Sequence, residues 1–316
     1  MNQQLPKVYV SILNWNGYRN TIACLQSLQE SNYENIHLVV IDNGSRDDSV
    51  GEIKKAFADI EIIQTGENLG FAGGHKVAVD RALRKEIDAL WLLNNDLVVR
   101  PDALSNLVAA YQKYGIGLYN SAVLDSSATY VNLASFQLRE KSRGSKPIKQ
   151  RVPLVHMLTH GEILEVYRLT GSNIFLPTSL IEQYGFIDTS FFMYAEDTDY
   201  GLRLQAAGIP NYVVLTSVVM HEGRGSWKNE QRLAEVMNYY KVRNGIALAK
   251  RHFGIIAVIS EIWKTVSKYL WKALLRSILM RQNLQVVYPT QYYQLVGLRD
   301  GLRGRMGRTY DPQDFI

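Results

Sequence analysis

A lone acidic residue follows the most apolar stretch of the chain. The run 90–93 predicts a buried strand, Asn94, Asn95 and Asp96 follow it, and the run 97–99 predicts a second short strand. Open α/β sheets bind ligands at the carboxyl ends of their strands, where Asp96 would stand. Its carboxylate suits Mg²⁺ or Mn²⁺, ions that usually share their ligand shell with substrate phosphates. The alternative is a turn in which these side chains bond to their own backbone.

A second group of acids, Glu196, Asp197 and Asp199, stands at the mouth of an apolar segment. Carboxylates that are close together and buried repel each other, which raises the pKa of one of them and makes it a usable general base. Such a cluster could also bind cations. The alternative is that these acids lie in the first turn of a helix, where the helix dipole favours them.

Asp42 and His221 each come directly after a predicted strand. Asp42 could accept a hydrogen bond from a nucleotide base or a ribose hydroxyl, or it could cap a helix. A histidine in the position of His221 is most often a hydrogen-bonded bystander. Paired with Asp96, however, it would supply a second metal ligand.

The elements that must position these residues alternate between strands and helices. This order predicts βαβ units, a mostly parallel sheet, and one sheet edge carrying Asp42, residues 68–74 and Asp96. No G-x-G-x-x-G or Walker A sequence occurs, so dinucleotide and P-loop chemistry are disfavoured. The predicted strands are 8–13, 36–41, 60–64, 90–93, 97–99 and 212–220, and the predicted helices include 19–31, 49–57 and 76–86.

Composition is that of a globular chain, with 316 residues, 47% hydrophobic and 21% charged. The net charge of +5 is compatible with anionic substrates or an anionic membrane, but it is too small to indicate nucleic acid. Cys24 is the only cysteine, which excludes an intrachain disulfide and favours the cytoplasm. Residues 1–7 lack a signal peptide's apolar core, and no window reaches the ~20 apolar residues of a spanning helix.

Two regions carry basic residues. The region from about 120 to 165 is predicted to be a long loop over the site or a solvated charge run, and its basic residues are Lys141, Arg143, Lys146, Lys149 and Arg151. In region 252–281, basic residues recur every four positions at Lys264, Lys268, Lys272 and Arg276. With Trp263 and neighbouring apolar residues, this stripe suits an interfacial helix on an anionic inner leaflet. The alternative is packing against the catalytic domain or a second subunit. Residues 297–308 are expected to form a flexible basic end.

Together, in this order, the motifs resemble those of the family 2 inverting glycosyltransferases of GT-A fold, especially the bacterial rhamnosyltransferase-like branch. The resemblance implies an α/β fold with a Rossmann-like, mostly parallel central sheet and a C-terminal amphipathic helical extension. It implies a catalytic domain over 1–250, with a nucleotide-sugar half at about 1–120 and an acceptor half at about 165–250, and the extension at 251–316. The matching stretches are residues 10–17, 40–45 with Asp48, 68–74, 93–96, 171–173, 191–203, His221, Tyr239-Tyr240 and Arg243-Asn244.

The resemblance also implies roles for individual residues. Asp96 and His221 would hold Mg²⁺ or Mn²⁺, and Asp197, beside Glu196, would be the general base. The family's D-x-D motif begins with Asn94 here, which leaves the metal one carboxylate, and His75 stands where relatives often have Asn. The donor side would comprise Asn14, Trp15, Asp42, Asn43, Asn68, Gly70, Asn95 and Asp96, and the acceptor side Gly171, Ser172, Asn173 and Asp199.

The expected function is metal-dependent inverting transfer of a sugar, preferably from dTDP-L-rhamnose, to a glycan or a polyprenyl-linked saccharide in cell-surface polysaccharide synthesis, such as that of O-antigen. The expected location is the cytoplasm or the inner face of the membrane, and oligomerisation is compatible with the sequence. A UDP-hexose donor is the first alternative. A sugar-1-phosphate nucleotidyltransferase would need a Gly-rich basic loop after the first strand, which residues 14–17 lack. A non-catalytic nucleotide-sugar-binding subunit is disfavoured by the intact acids and His221.

Overall fold

The computed structural model describes residues 5–124, 130–132, 137–138, 151–153, 162–221, 231–267, 271, 278 and 289–315. The described strands are β1 (Val8–Asn14), β2 (Ile36–Asp42), β3 (Glu61–Gln64), β4 (Ala89–Asn94), β5 (Leu97–Val99), β6 (Leu118–Leu124), β7 (Tyr130–Asn132), β8 (Gln137–Leu138), β9 (Arg151–Pro153), β10 (Ile163–Arg168), β11 (Asn173–Pro177) and β12 (Asn211–His221). The described α-helices are α1 (Tyr18–Gln29), α2 (Ser49–Ala56), α3 (Gly70–Ala82), α4 (Ala103–Tyr114), α5 (Thr178–Tyr184), α6 (Glu196–Ala206), α7 (Gln231–His252), α8 (Gly254–Thr265) and α9 (Pro289–Arg303).

The strands form one mixed sheet in the order β3-β2-β1-β4-β11-β6-β12-β10-β8, with β5 beside β12. The first four are parallel, β11 lies antiparallel to β4, and β12 runs parallel to β6. Apolar runs such as residues 89–93 are wholly buried, as expected for strands covered on both faces. The predicted α/β architecture is therefore confirmed.

Strand β6 lies inside this sheet, although the sequence pattern weakens in this region. It is fully buried, yet it carries Asn120 and Ser121. The Asn120 amide donates to the Thr170 carbonyl at 3.2 Å, and the Ser121 amide donates to Asn173 Oδ1 at 2.6 Å. Because these buried polar groups are hydrogen-bonded, their burial is tolerated and the apolar signature of a strand is lost.

Helix α3 begins at Gly70, six residues before the predicted helix over 76–86. The segment 70–74, with glycines at positions 70, 73 and 74, therefore forms the start of this helix. Among the basic residues of the predicted long loop, Arg151 lies in β9 and the stretch 141–149 falls outside the described residues. Lys268, Lys272 and Arg276 also fall outside them.

The chain divides into two compact units, the first Met1–Ile187 with Tyr200–Ser226 and the second Asp188–Asp199 with Trp227–Ile316. The first unit contains the sheet. Within the described residues, no helix is both long enough and apolar enough to cross a membrane. The functional division at residue 250 stays a prediction.

In the second unit, α7 packs closely on α9 through two glycines. A Cβ at Gly297 would lie 2.5 Å from the Tyr239 carbonyl oxygen, and one at Gly301 would lie 2.8 Å from that of Arg243. The Tyr239 hydroxyl also donates to Asp300 at 3.0 Å. The prediction of a flexible end from residue 297 is wrong, because small residues here permit helix packing and do not loosen the chain.

Candidate functional site

The register of β1 and β2 places Asn14 directly beside Asp42 at the carboxyl edge of the sheet. The Asn14 amide donates to Asp42 Oδ1 at 2.9 Å and to Ser45 Oγ at 3.1 Å. The Thr21 hydroxyl donates to Asn14 Oδ1 at 2.7 Å, which fixes the orientation of this buried amide. Thr21 is a member of this network that the sequence analysis did not single out, since it lies within α1 and not at a strand end.

A second amide pair follows on the same edge. Asn43 donates to Asn68 Oδ1 and to the Gly70 carbonyl, each at 3.1 Å. Its own Oδ1 accepts from the Leu69 amide at 3.0 Å, and Asn68 Oδ1 accepts from the Gly70 amide at 2.9 Å. The entry to α3 is thus fixed by side-chain amides.

The turn after β4 joins the same network. The Asn95 amide donates to Thr21 Oγ1 at 3.0 Å and to the Gly17 carbonyl at 3.2 Å. Trp15, which follows β1, is buried with 7% of its surface exposed. The structure therefore brings Asn14, Asp42 and Asn95 together, while their contacts with a donor stay a prediction.

The pairing of β5 with β12 brings His221 beside Asp96. Leu97 is the register partner of His221, so Asp96 stands next to the end of β12. His221 Nε2 lies 3.3 Å from Asp96 Oδ2. The other carboxylate oxygen, Oδ1, is buried and has no hydrogen-bond partner within the described part of the chain.

This pair fits a divalent cation whose remaining ligands come from a substrate. A buried carboxylate oxygen without a hydrogen bond is costly unless a ligand satisfies it. The imidazole nitrogen of His221 lies beside the other oxygen of the same carboxylate. Mg²⁺ commonly takes one or two carboxylates with substrate phosphates and does not need a full protein cage. No group of three or more His, Cys, Asp or Glu side chains at metal-binding spacing occurs among the residues described.

The predicted acceptor-side residues 171–173 enter β11, which lies antiparallel to β4. Asn173 is the register partner of Leu93, and the Ser172 carbonyl accepts from the Asn94 amide at 2.9 Å. Asn173 is fully buried, and its side-chain oxygen Oδ1 accepts from the Ser121 amide of β6. These contacts give Asn173 a structural place beside the strand that leads to Asp96, and acceptor binding stays a prediction.

In the second unit, α6 begins with Glu196 and Asp197. Asp197 Oδ1 accepts from the Thr198 amide at 2.6 Å, which stabilises the first helical turn. Asp199 is fully buried, and its Oδ1 lies 2.9 Å from His252 Nε2 and 3.3 Å from Arg251. Asp199 is therefore part of an ion-pair cluster at the end of α7, and its acceptor role stays a prediction.

His75 lies on the buried face of α3. Its Nδ1 is 2.9 Å from the Ser11 hydroxyl, and its ring packs edge-on to Phe71. Complete burial lowers the pKa of His75 to about 3. The residue that departs from the family pattern is thus a neutral core side chain that joins α3 to β1.

This lowered pKa predicts that acid destabilises the protein through His75. Unfolding returns the pKa to about 6.5, so the unfolded chain binds more protons below that pH and stability falls as the pH decreases. We expect roughly 3 kcal/mol less stability at about pH 4 than at about pH 7 from this group. Urea unfolding of wild type and His75→Asn at several pH values measures it. The variant should show a shallower pH dependence, and equal slopes would contradict the prediction.

Two family models match the chain. The model for glycosyl transferase family 2 matches residues 9–161, and that for glycosyl transferase family group 2 matches residues 90–299. The second match alone covers more than half of the chain. Together the two matches include Asp42, Asp96, Asp197 and His221.

Two curated relatives agree with these matches. The low-salt glycan biosynthesis hexosyltransferase Agl10 of Haloferax volcanii is 24% identical over 176 residues, or 54% of each protein. The chain therefore spans about half the length of that relative. An N-acetylglucosaminyl-diphospho-decaprenol L-rhamnosyltransferase of Mycobacterium tuberculosis is 23% identical over 262 residues, covering 73% of this chain and 80% of that protein.

Solved structures share the fold. GalNAc-T7 with UDP, GalNAc and Mn²⁺ has a TM-score of 0.58 at 13% identity, covering 96% of this chain and 57% of that chain. The mannosyltransferase PcManGT of Pyrobaculum calidifontis, in complex with GDP-Man and Mn²⁺, has a TM-score of 0.54 at 13% identity. The alignment covers 96% of this chain and 88% of that chain. The fold is thus GT-A, and with the family matches this chain belongs to glycosyltransferase family 2.

Proposed function

We propose that this glycosyltransferase is metal-dependent and inverting, and that it transfers a sugar to a hydroxyl of a glycan or polyprenyl-linked saccharide in cell-surface polysaccharide synthesis. The observation that carries the proposal is the Asp96–His221 pair, with its unsatisfied buried carboxylate oxygen, on the sheet that also bears the Asn14–Asp42 network. The two features supply what a nucleoside diphosphate needs, namely polar partners for the nucleoside and ligands for a cation.

The chain's own residues divide the work of the reaction. Residues at the β1–β2 edge bind and orient the nucleoside, and the Asp42 carboxylate, which accepts from Asn14 and from the Ser45 amide, has capacity for further hydrogen bonds. Asp96 and His221 would hold Mg²⁺ or Mn²⁺, which stabilises the negative charge of a departing diphosphate. Asp197 takes the proton from the acceptor hydroxyl, whose oxygen attacks the anomeric carbon from the face opposite the leaving group and inverts it.

We propose dTDP-L-rhamnose as the donor and a UDP-hexose as the alternative. The mycobacterial relative is named as an L-rhamnosyltransferase acting on a decaprenyl-linked sugar, which supports rhamnose and a lipid-linked acceptor. The UDP bound by GalNAc-T7 supports the alternative.

Thermal-shift screening with and without Mn²⁺ tests the function. We expect dTDP, or otherwise UDP, to raise the melting temperature only when Mg²⁺ or Mn²⁺ is present, because the diphosphate and the cation bind together. A ligand at about one hundred times its Kd stabilises a protein by about 2.7 kcal/mol, which such a screen readily detects. The matching nucleotide sugar should then be hydrolysed slowly. Equal stabilisation with EDTA would contradict the metal dependence, and no response to any nucleotide would contradict the function.

We also propose that the enzyme is peripheral on the inner face of the membrane, and that α8 binds it. Four side chains on α8, Ile255, Ile256, Ile259 and Trp263, are 58–80% exposed. Lys250 and Arg251 lie in the last turn of α7, just before α8, and Lys264 lies in the last turn of α8, where it pairs with Glu261, the single acid of that helix. Exposed Ile and Trp beside basic residues suit the interface of an anionic bilayer, where a polyprenyl-linked acceptor resides.

Vesicle flotation tests this surface. The wild type should float with phosphatidylglycerol vesicles, and the double change Ile256→Ser with Trp263→Ser should abolish flotation because the apolar anchor is lost. Replacing Lys264, Lys268 and Lys272 by Gln should reduce binding mainly at low salt, since screening weakens surface charge. Leu302→Ser, on a partly exposed leucine of α9, is the matched control. If the double change instead converts a dimer into a monomer without affecting flotation, the face serves a second copy.

A further inference from the structure

The segment that leads into α6 has an unfavourable backbone conformation. Phe192, Tyr194 and Ala195 have φ values of 62°, 66° and 72°. Residues with side chains rarely adopt positive φ, and several in one short segment persist only where surrounding contacts impose them. The next two residues of the chain are Glu196 and Asp197, so this segment sets where α6 begins.

The Asn244 side chain holds this segment through three backbone carbonyls. Its amide group donates to the carbonyls of Phe191, Met193 and Tyr194 at 3.1, 2.7 and 2.8 Å. Asn244 is fully buried on α7. One side chain thus supplies hydrogen bonds to three carbonyls of this strained segment, and the Phe191 carbonyl also accepts from the Met193 amide within it.

Arg243 fixes the orientation of Asn244 and binds the same segment. Its Nε donates to Asn244 Oδ1 at 2.8 Å, so the amide nitrogen must face the carbonyls. A terminal nitrogen donates to the Phe191 carbonyl at 2.9 Å. The fully buried guanidinium lies 4.8 Å from the centre of the Tyr240 ring, and this cation–π contact helps to offset its burial.

The C-terminal tail closes the arrangement within this unit. The other terminal nitrogen of Arg243 donates to the Gly307 carbonyl, and the Gly307 amide donates to the Ser190 carbonyl at 2.7 Å. The Tyr240 hydroxyl accepts from the amides of Thr309 and Tyr310 at 3.0 and 3.1 Å. The strained segment is therefore bound by α7, and the tail binds Ser190, the residue before it, and Arg243.

We propose that Arg243 and Asn244 are positioning residues that hold the strained segment 191–195 and thereby set the geometry of the acids at the start of α6. The inference rests on the proposed role of Asp197 as general base. Neither residue touches a reacting atom, and each acts through backbone carbonyls. Since misplacement of a catalytic group by about 1 Å can cost about a hundredfold in rate, loss of these contacts lowers the rate of transfer more than donor binding.

Steady-state kinetics of Asn244→Ala, Asn244→Gln and Arg243→Lys test the proposal. We expect Asn244→Ala to lower kcat about a hundredfold with the KM for the donor unchanged. Asn244→Gln should recover part of kcat, because a longer amide still donates to some of the carbonyls. Arg243→Lys keeps the positive charge but loses the several N–H donors of the guanidinium, so it should also lower kcat. Asn238→Ala, which removes an exposed amide on the same helix, is the matched control and should keep wild-type kcat.

The pH at which kcat falls on the acid side of its pH profile distinguishes a loss of positioning in the Asn244 and Arg243 variants from a simple folding defect. A shifted limb in folded Asn244→Gln or Arg243→Lys supports the proposal, since a fold defect alone would lower the amount of active enzyme and leave the limb in place. Unchanged kcat in folded Asn244 variants would overturn the proposal. If Asn244→Ala does not fold, Arg243→Lys and Asn244→Gln decide the question. If Asp197→Asn also leaves turnover unchanged, the proposed general base fails separately.

Discussion

Asp197→Asn is expected to lower the rate of sugar transfer by about 10²–10⁴-fold, the usual contribution of a general base. The amide has the shape of the carboxylate but cannot take a proton from the acceptor hydroxyl. Its oxygen can still accept from the Thr198 amide, so the first turn of α6 should persist. Donor binding should be unchanged, because the predicted donor residues lie on other elements. Transfer rates and donor Kd values are the measurements.

Two matched variants make the Asp197 result specific. Glu196→Gln removes the neighbouring carboxylate and should have the smaller effect if Asp197 is the base. Asp80→Asn removes a half-exposed carboxylate that pairs with Lys76 on α3, and it should keep wild-type activity. Wild-type turnover by Asp197→Asn would exclude this residue as the base.

Asp96→Ala is expected to abolish metal-dependent donor binding and to lower transfer more than a hundredfold, since a bound cation contributes several kcal/mol of charge stabilisation. His221→Ala should weaken the dependence on Mn²⁺ and leave some activity at high metal concentration, because the carboxylate remains. The structure pairs the two side chains at 3.3 Å, so their effects should be non-additive in the double variant. Isothermal titration of UDP or dTDP with and without Mn²⁺ measures binding apart from turnover.

The histidine control is His37→Ala, which removes a partly exposed imidazole that pairs with Glu61 at 2.7 Å. It should leave the metal response unchanged. Activity of the wild type that is indifferent to EDTA would contradict the metal role of both Asp96 and His221.

Much of the sheet and the residues at its edge could be predicted from the sequence. Buried parallel strands need unbroken apolar runs, so their ends at Asn14, Asp42 and Asn94 were readable as polar residues after such runs. The alternation of strands and helices predicts that both strands end at the same sheet edge, and their register in the structure places Asn14 beside Asp42 there. Strand β6 was not predicted, because it contains Asn120 and Ser121, which are hydrogen-bonded, in place of apolar residues.

Other features depended on contacts between residues far apart in sequence. The strand at 97–99 was predicted from its own residues. Its pairing with β12, which brings His221 to Asp96, depends on residues far away in the sequence. The same holds for Asp199, whose burial against Arg251 and His252 could not be read from its own turn.

The sequence by itself determined the family, the α/β class and the chemical types at the sheet edge, because apolar periodicity and short motifs are local properties of the chain. Only the tertiary structure showed how strand pairing brings His221 to Asp96, the pair that the resemblance implied, and that Arg243 and Asn244 bind the strained backbone before Glu196 and Asp197. Side-chain hydrogen bonds between distant residues depend on strand register and helix packing. No local pattern encodes either of these.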